Sequence, residues 1–229
     1  MVEKPGPAEG GVVTTLRYLS LIAMLAVLPD GDAMAQAPAS EPVSTTASDG
    51  RAWSFSAHAY AYIQPDDDNY LQPTFAADRD RLHLEARYNY ENLDTGSVWA
   101  GYNFSVGETV TLETTAMLGG VFGATTGIAP GYEATLSWRK LELSSEGEYV
   151  FDTNDSSSSF FYTWSELTWA PLDWSRFGLA VQRSKVYHTD RDIQRGFLVG
   201  LSFRRMDFTS YVFNPDRSPT VVLALGLRF

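Results

Sequence analysis

The chain has no cysteine. Its fold therefore rests on no disulfide and no structural zinc thiolate, and it carries no thiol nucleophile. Histidine is scarce, with three in 229 residues, His58, His83 and His188. Basic residues are few beside acidic ones, 17 against 28, for a formal net charge of -11. A nucleic-acid surface needs clustered lysine and arginine, so no nucleic-acid partner is expected. Long hydrophobic runs are also missing. The longest, Tyr18–Leu28, covers about eleven residues, whereas a membrane helix needs roughly twenty. Phosphate-cradling glycine loops, HExxH and nucleotide fingerprints are absent, and no cofactor is expected.

What is present is 44% hydrophobic residues, with 12 tyrosines and 13 phenylalanines. Aromatic side chains favour strands. The short run Tyr18–Leu28 follows Arg17 and precedes Ala33-Met34-Ala35. A positive flank, a short apolar core and a small-residue cleavage site read as a secretory leader over residues 1–35. Met1–Thr15 is long for such a leader and contains Glu3 and Glu9, which points to a translation start further in. Residues 36–50, rich in Ala, Pro, Ser and Thr, read as a flexible lead-in.

From residue 51 to 229 the chain alternates with period two, broken by turn residues every dozen or so positions. In Arg81–Glu91 the odd positions are polar and the even ones apolar. In Thr220–Phe229 the apolar set is Val221, Leu223, Leu225, Leu227 and Phe229. Successive strand residues point to opposite faces, so each strand has one apolar and one polar side. The pattern predicts an all-β, antiparallel up-and-down barrel of about twelve strands. They fall near 53–64, 70–77, 80–91, 97–106, 109–118, 131–139, 141–151, 160–170, 174–187, 193–204, 206–213 and 219–229. Turns then alternate between short ones, such as Arg139–Lys140 and Arg204–Arg205, and longer ones, such as Asn92–Gly96 and a glycine-rich Gly119–Pro130. Aromatic residues are expected in two belts where strands meet the interfaces. One holds Trp53, Phe104, Trp138, Trp169, Trp174 and Phe229; the other holds Tyr62, Tyr90, Phe151, Phe160, Tyr187 and Phe213.

The leader, the alternating strands and the terminal Leu225-Gly226-Leu227-Arg228-Phe229 together resemble the bacterial outer-membrane β-barrel proteins, a broad porin-like class. The resemblance covers residues 51–229. It implies export to the outer membrane with removal of the leader, a lead-in on the periplasmic side, and contact with outer-membrane lipid and lipopolysaccharide. It also implies that the Phe229 segment is read by the barrel-assembly machinery. A soluble lipocalin-like barrel also alternates, but with its apolar face inward and about eight strands.

With the apolar face on lipid, the polar face lines the lumen. The expected lining is Arg81, His83, Glu85, Arg87, Glu113, Arg139 and Glu142, continued by Glu133, Glu146 and Glu148. The opposite wall reads as small residues: Gly178, Ala180, Gly196, Gly200, Ala224 and Gly226. Two readings follow. Charge on one side selects a small hydrophilic solute in a narrow channel, or opposite charges pair and fill the barrel, which then acts through acidic outer loops. No catalytic set is evident. His188, beside Asp190 and Asp192, is the one place where an acid–imidazole pair of a hydrolase could stand, and a solvated loop histidine fits it better. Asp66-Asp67-Asp68, Asp152 and Asp155 lack EF-hand spacing, so no specific metal site is read there.

Overall fold

The computed structural model describes residues 52–65, 68–186, 192–216 and 218–229. The leader, the lead-in, Asp66, Asp67, Tyr187, His188 and Asp190 lie outside them.

Twelve antiparallel strands close into one barrel in which each strand pairs with its neighbours in sequence, and β1 pairs with β12. They are β1 (Ser54–Ile63), β2 (Tyr70–Arg79), β3 (Leu82–Tyr88), β4 (Thr95–Val106), β5 (Val110–Gly123), β6 (Gly127–Trp138), β7 (Leu141–Asp152), β8 (Phe160–Leu172), β9 (Ser175–Val186), β10 (Asp192–Phe203), β11 (Met206–Phe213) and β12 (Thr220–Arg228). Closure leaves no sheet edge, which is the condition for a sheet to stand in hydrocarbon. At the seam the Phe55 and Phe229 backbones exchange hydrogen bonds at 3.1 and 3.0 Å, and the two rings stack.

Alternation decides which side of each strand meets lipid. Along β3, Leu82, Leu84, Ala86 and Tyr88 are exposed while His83, Glu85 and Arg87 are buried. The same inversion runs around the barrel: Val98, Leu118, Phe122, Leu167, Leu179 and Phe197 lie open on the outside. In water such a continuous apolar belt would be untenable, so its solvent is a lipid bilayer.

One end of the barrel is closed by turns of two or three residues, after β2, β4, β6, β8 and β10. Asp80, Arg139 and Arg204 take positive φ at three of them. The other end carries mostly longer connections, and the segment between β7 and β8 includes a short 3-10 turn, Ser156–Ser158. There Asp152 Oδ1 accepts from the amides of Asn154 and Asp155, and Asp155 Oδ1 from that of Ser157. The Ser157 hydroxyl and amide and the Ser158 hydroxyl, all donating to Asp155, pull its carboxyl below the ordinary range. Two of the acidic loop residues thus hold their own loop.

Three expectations need correction. Gly119–Pro130 is not a loop: β5 runs to Gly123 and β6 starts at Gly127, with only residues 124–126 turning. The β6–β7 ladder is interrupted at Ala129 and Pro130, with the same register on either side, where proline has no N–H to give. β3 is also shorter than the pattern implied, ending at Tyr88. The third concerns the aromatics. Trp53, Phe104, Trp138, Trp169, Trp174 and Phe229 all lie exposed at the short-turn end. In the other set, Phe151 faces outward, but Tyr62 and Phe213 are fully enclosed, and Tyr90 and Phe160 pack against the interior. Register explains it: Tyr62 shares its face with His58 and Tyr60, while Ala57, Ala59 and Ala61 take the lipid side.

Candidate functional site: the barrel interior

The interior divides into two layers. Toward the long-loop end it is aromatic. Trp164 of β8 meets Tyr211 and Phe213 of β11 edge to face, each at 5.1 Å, and reaches Tyr60 of β1 at 6.4 Å. Tyr62 stacks on Tyr70 at 4.4 Å, and Tyr90 meets Tyr162 at 5.4 Å. Because β1 and β8 stand on opposite sides of the barrel, the Tyr60–Trp164 contact spans the lumen. The polar tips are satisfied: the Trp164 indole N–H and the Tyr211 hydroxyl both donate to Glu166, at 2.7 and 2.8 Å.

Toward the short-turn end it is charged. Arg87 stands at the boundary. Its guanidinium donates to Glu85 at 2.8 Å and, across the lumen on β7, to Glu148 at 3.0 Å; it approaches Glu133 of β6 at 3.9 Å. The same group lies over the Tyr90 and Trp99 rings at 4.2 and 4.6 Å. Trp99 can lie flat because β5 and β6 carry glycine beneath it. A Cβ at Gly119 would stand 2.4 Å from the indole, and one at Gly131 2.9 Å. On the far wall Arg176 lies along Gly200, where a Cβ would meet its side chain at 2.6 Å, and donates to Thr209 at 2.7 Å. Near the floor, Arg228 pairs with Asp207 at 2.5 Å.

Of the expected lining, His83, Glu85, Arg87, Glu113 and Glu142 are buried on the inner face. Arg81 and Arg139 are not in the lumen. Both sit in two-residue turns, where strand alternation no longer fixes side-chain direction. Arg81 donates to the Tyr102 hydroxyl at 2.8 Å and Arg139 lies over Trp138, both outward rings. The small-residue wall is also different from the expectation. Its glycines hold long chains from adjacent strands, and the space is filled by Tyr60, Trp164 and Tyr211, whose strands carry the aromatics inward. Sequence reasoning missed Asp78, Trp99, Asn103 and Glu166. Parity could have found Trp99 and Asn103, since both share a face with Ser97 on β4. Asp78 reads as a turn residue but pairs with His83 through its place opposite it.

The closed, lipid-faced, polar-cored barrel defines the class: this is the porin-like outer-membrane β-barrel fold. Among solved structures the chain is similar to the KdgM porin, with a TM-score of 0.58 at 12% identity, covering 76% of this chain and 99% of that one. The same values hold for the KdgM porin in complex with disordered oligogalacturonate. OccK5 (OpdH) of Pseudomonas aeruginosa aligns at a TM-score of 0.42 and 9% identity, over 78% of this chain and 68% of that one. No protein-family model and no curated protein sequence matches the chain.

Proposed function

We propose that this protein is a narrow outer-membrane channel for small hydrophilic solutes. The long loops face outward, the short turns face the periplasm, and the Phe229 segment engages the barrel-assembly machinery. The observation that carries the reading is the state of the carboxylates below the aromatic layer. The Glu133 side chain keeps 35% of its surface accessible and Asp78 keeps 20%, both on the inner wall. A lumen packed only for stability would seal such groups or replace them. The porin-like fold supports the reading. Carboxylates outnumber guanidiniums along this wall, so a polyanion such as oligogalacturonate, the ligand in the KdgM complex, would be repelled here. The solutes expected are neutral or cationic.

The test is conductance of purified, folded protein in planar bilayers. Small steps from the wild type, rising several-fold in Trp164→Ala, are expected. Silence from both overturns the channel. The contact between Tyr60 and Trp164 across the lumen favours a second reading, a closed barrel that acts through its acidic loops. That reading predicts silence from the wild type and from every interior variant that stays folded.

A further inference from the structure

The geometry points to a divalent transition-metal site inside the barrel, formed by His83, Glu85 and Glu133. One donor atom from each lies within 4.8 Å of the other two. His83 is oriented as a ligand would be. Its Nδ1 lies 2.9 Å from Asp78 Oδ1. Asp78 is fixed in turn by the Asn103 amide at 2.9 Å, and Asn103 by the Thr115 hydroxyl at 2.6 Å. Asp78 accepts from Nδ1–H, and Nε2 points at Glu85 Oε2, so a shared metal ion would stand between these two atoms. A carboxylate holding the far nitrogen of a metal-binding imidazole is a recurrent arrangement.

The spacing agrees. His83 Nε2 and Glu85 Oε2 stand 3.5 Å apart. Two ligands on one tetrahedral zinc, each about 2.1 Å from the ion, are separated by about 3.4 Å. Glu133 needs to move by an ångström or so, and its side chain, partly open to the lumen, has room. Charge agrees as well. Arg87 is shared by Glu85, Glu133 and Glu148, one positive charge among three negative. Arg87 also touches Glu85 Oε2 itself, so on binding it keeps Glu148 and yields that oxygen. One imidazole and two carboxylates suit zinc, with water completing the set. Such an ion would stand in the lumen below the aromatic layer.

The alternative is an imidazolium at His83 that donates to both carboxylates and leaves no metal site. The two are separated by titrating chelator-washed, folded barrel in detergent with Zn²⁺ by calorimetry, and with Co²⁺ by visible absorption. One equivalent per chain, with the strong bands of tetrahedral Co²⁺, is expected. Binding should weaken at least tenfold in Glu133→Gln and vanish in His83→Ala. Glu133→Gln leaves the backbone pairing of Glu133 with Thr115 and Glu146 in place, so this variant keeps the test valid if His83→Ala misfolds. No saturable binding by the wild type overturns the site. So does wild-type affinity in Glu133→Gln, which would remove Glu133 from the ligand set.

Discussion

The two halves of the lumen use opposite solutions to the same problem, filling a twelve-stranded barrel. The half toward the long loops fills it with rings: Tyr60, Tyr62, Tyr90, Tyr162, Trp164, Tyr211 and Phe213 pack across the axis, with Trp164 and Tyr211 donating to Glu166 and Tyr90 to Glu146. The other half fills it with charge, organised around one guanidinium. Rings pack through dispersion and edge-to-face contact and give gradually under small displacements. A buried ion web does not, since removing one member strands the rest. The ring-filled half is therefore deformable, and the charged half rigid and electrostatically defined.

That contrast can be broken first at Arg87. Arg87→Ala leaves Glu85 and Glu148 buried without their cation and should cost about 3–5 kcal/mol. The urea midpoint of refolded barrel checks it, with Arg87→Lys recovering only part because one ammonium cannot serve both carboxylates. Trp164→Ala should lose a comparable amount, about 3–5 kcal/mol by truncation of a large ring. Unlike the Arg87 change, it should raise conductance several-fold, so the two variants tell the two halves apart. A third change works at the wall itself. Gly119→Ala places a methyl group against Trp99 and should cost about 1–3 kcal/mol, while Gly120→Ala, with open space outside, should be close to neutral.

The smallest effect concerns Glu91, in the loop after β3. Burial raises its carboxyl above the ordinary value, against donation from Ser97 at 2.5 Å and the attraction of Arg87. A raised value means the folded chain holds this proton more tightly than the unfolded one. Glu91 therefore favours folding at low pH. The contribution is lost as pH rises from the ordinary carboxylate range, about 4.3, through the raised folded value. Glu91→Gln should stabilise the barrel modestly at neutral pH and flatten this part of the stability profile. An unchanged pH slope would show that Glu91 ionises freely.

The architecture was legible in sequence because its signal is local. Period-two alternation and short turns name strands without reference to what lies across the barrel. The outward rings at the short-turn end were legible for the same reason, since Trp138 and Trp169 stand in phase with leucines. The contents of the lumen were not. Tyr62 and Phe213 sit near strand ends, where a lipid-facing ring and a lumen-facing ring have the same composition and differ only in parity. The alanines on the other face of β1 carried too little hydrophobicity to fix that parity. Gly119 read as a loop glycine because what it makes room for, Trp99, comes from a neighbouring strand. Arg81 and Arg139 obeyed alternation in sequence but stand where the strands have already ended.

The seam between β1 and β12 sets the order of assembly. Every other pairing joins strands that follow one another in the chain, and a short connection brings them together. The Phe55–Phe229 contact instead closes a loop containing the whole barrel, and each doubling of loop length adds about 0.6 kcal/mol of entropic cost. Hairpins can form in sequence while β1 waits with an open edge. Only the last strand to emerge can satisfy it. An unclosed sheet has two exposed borders able to recruit another chain, and the pairing of β12 with β1 removes both.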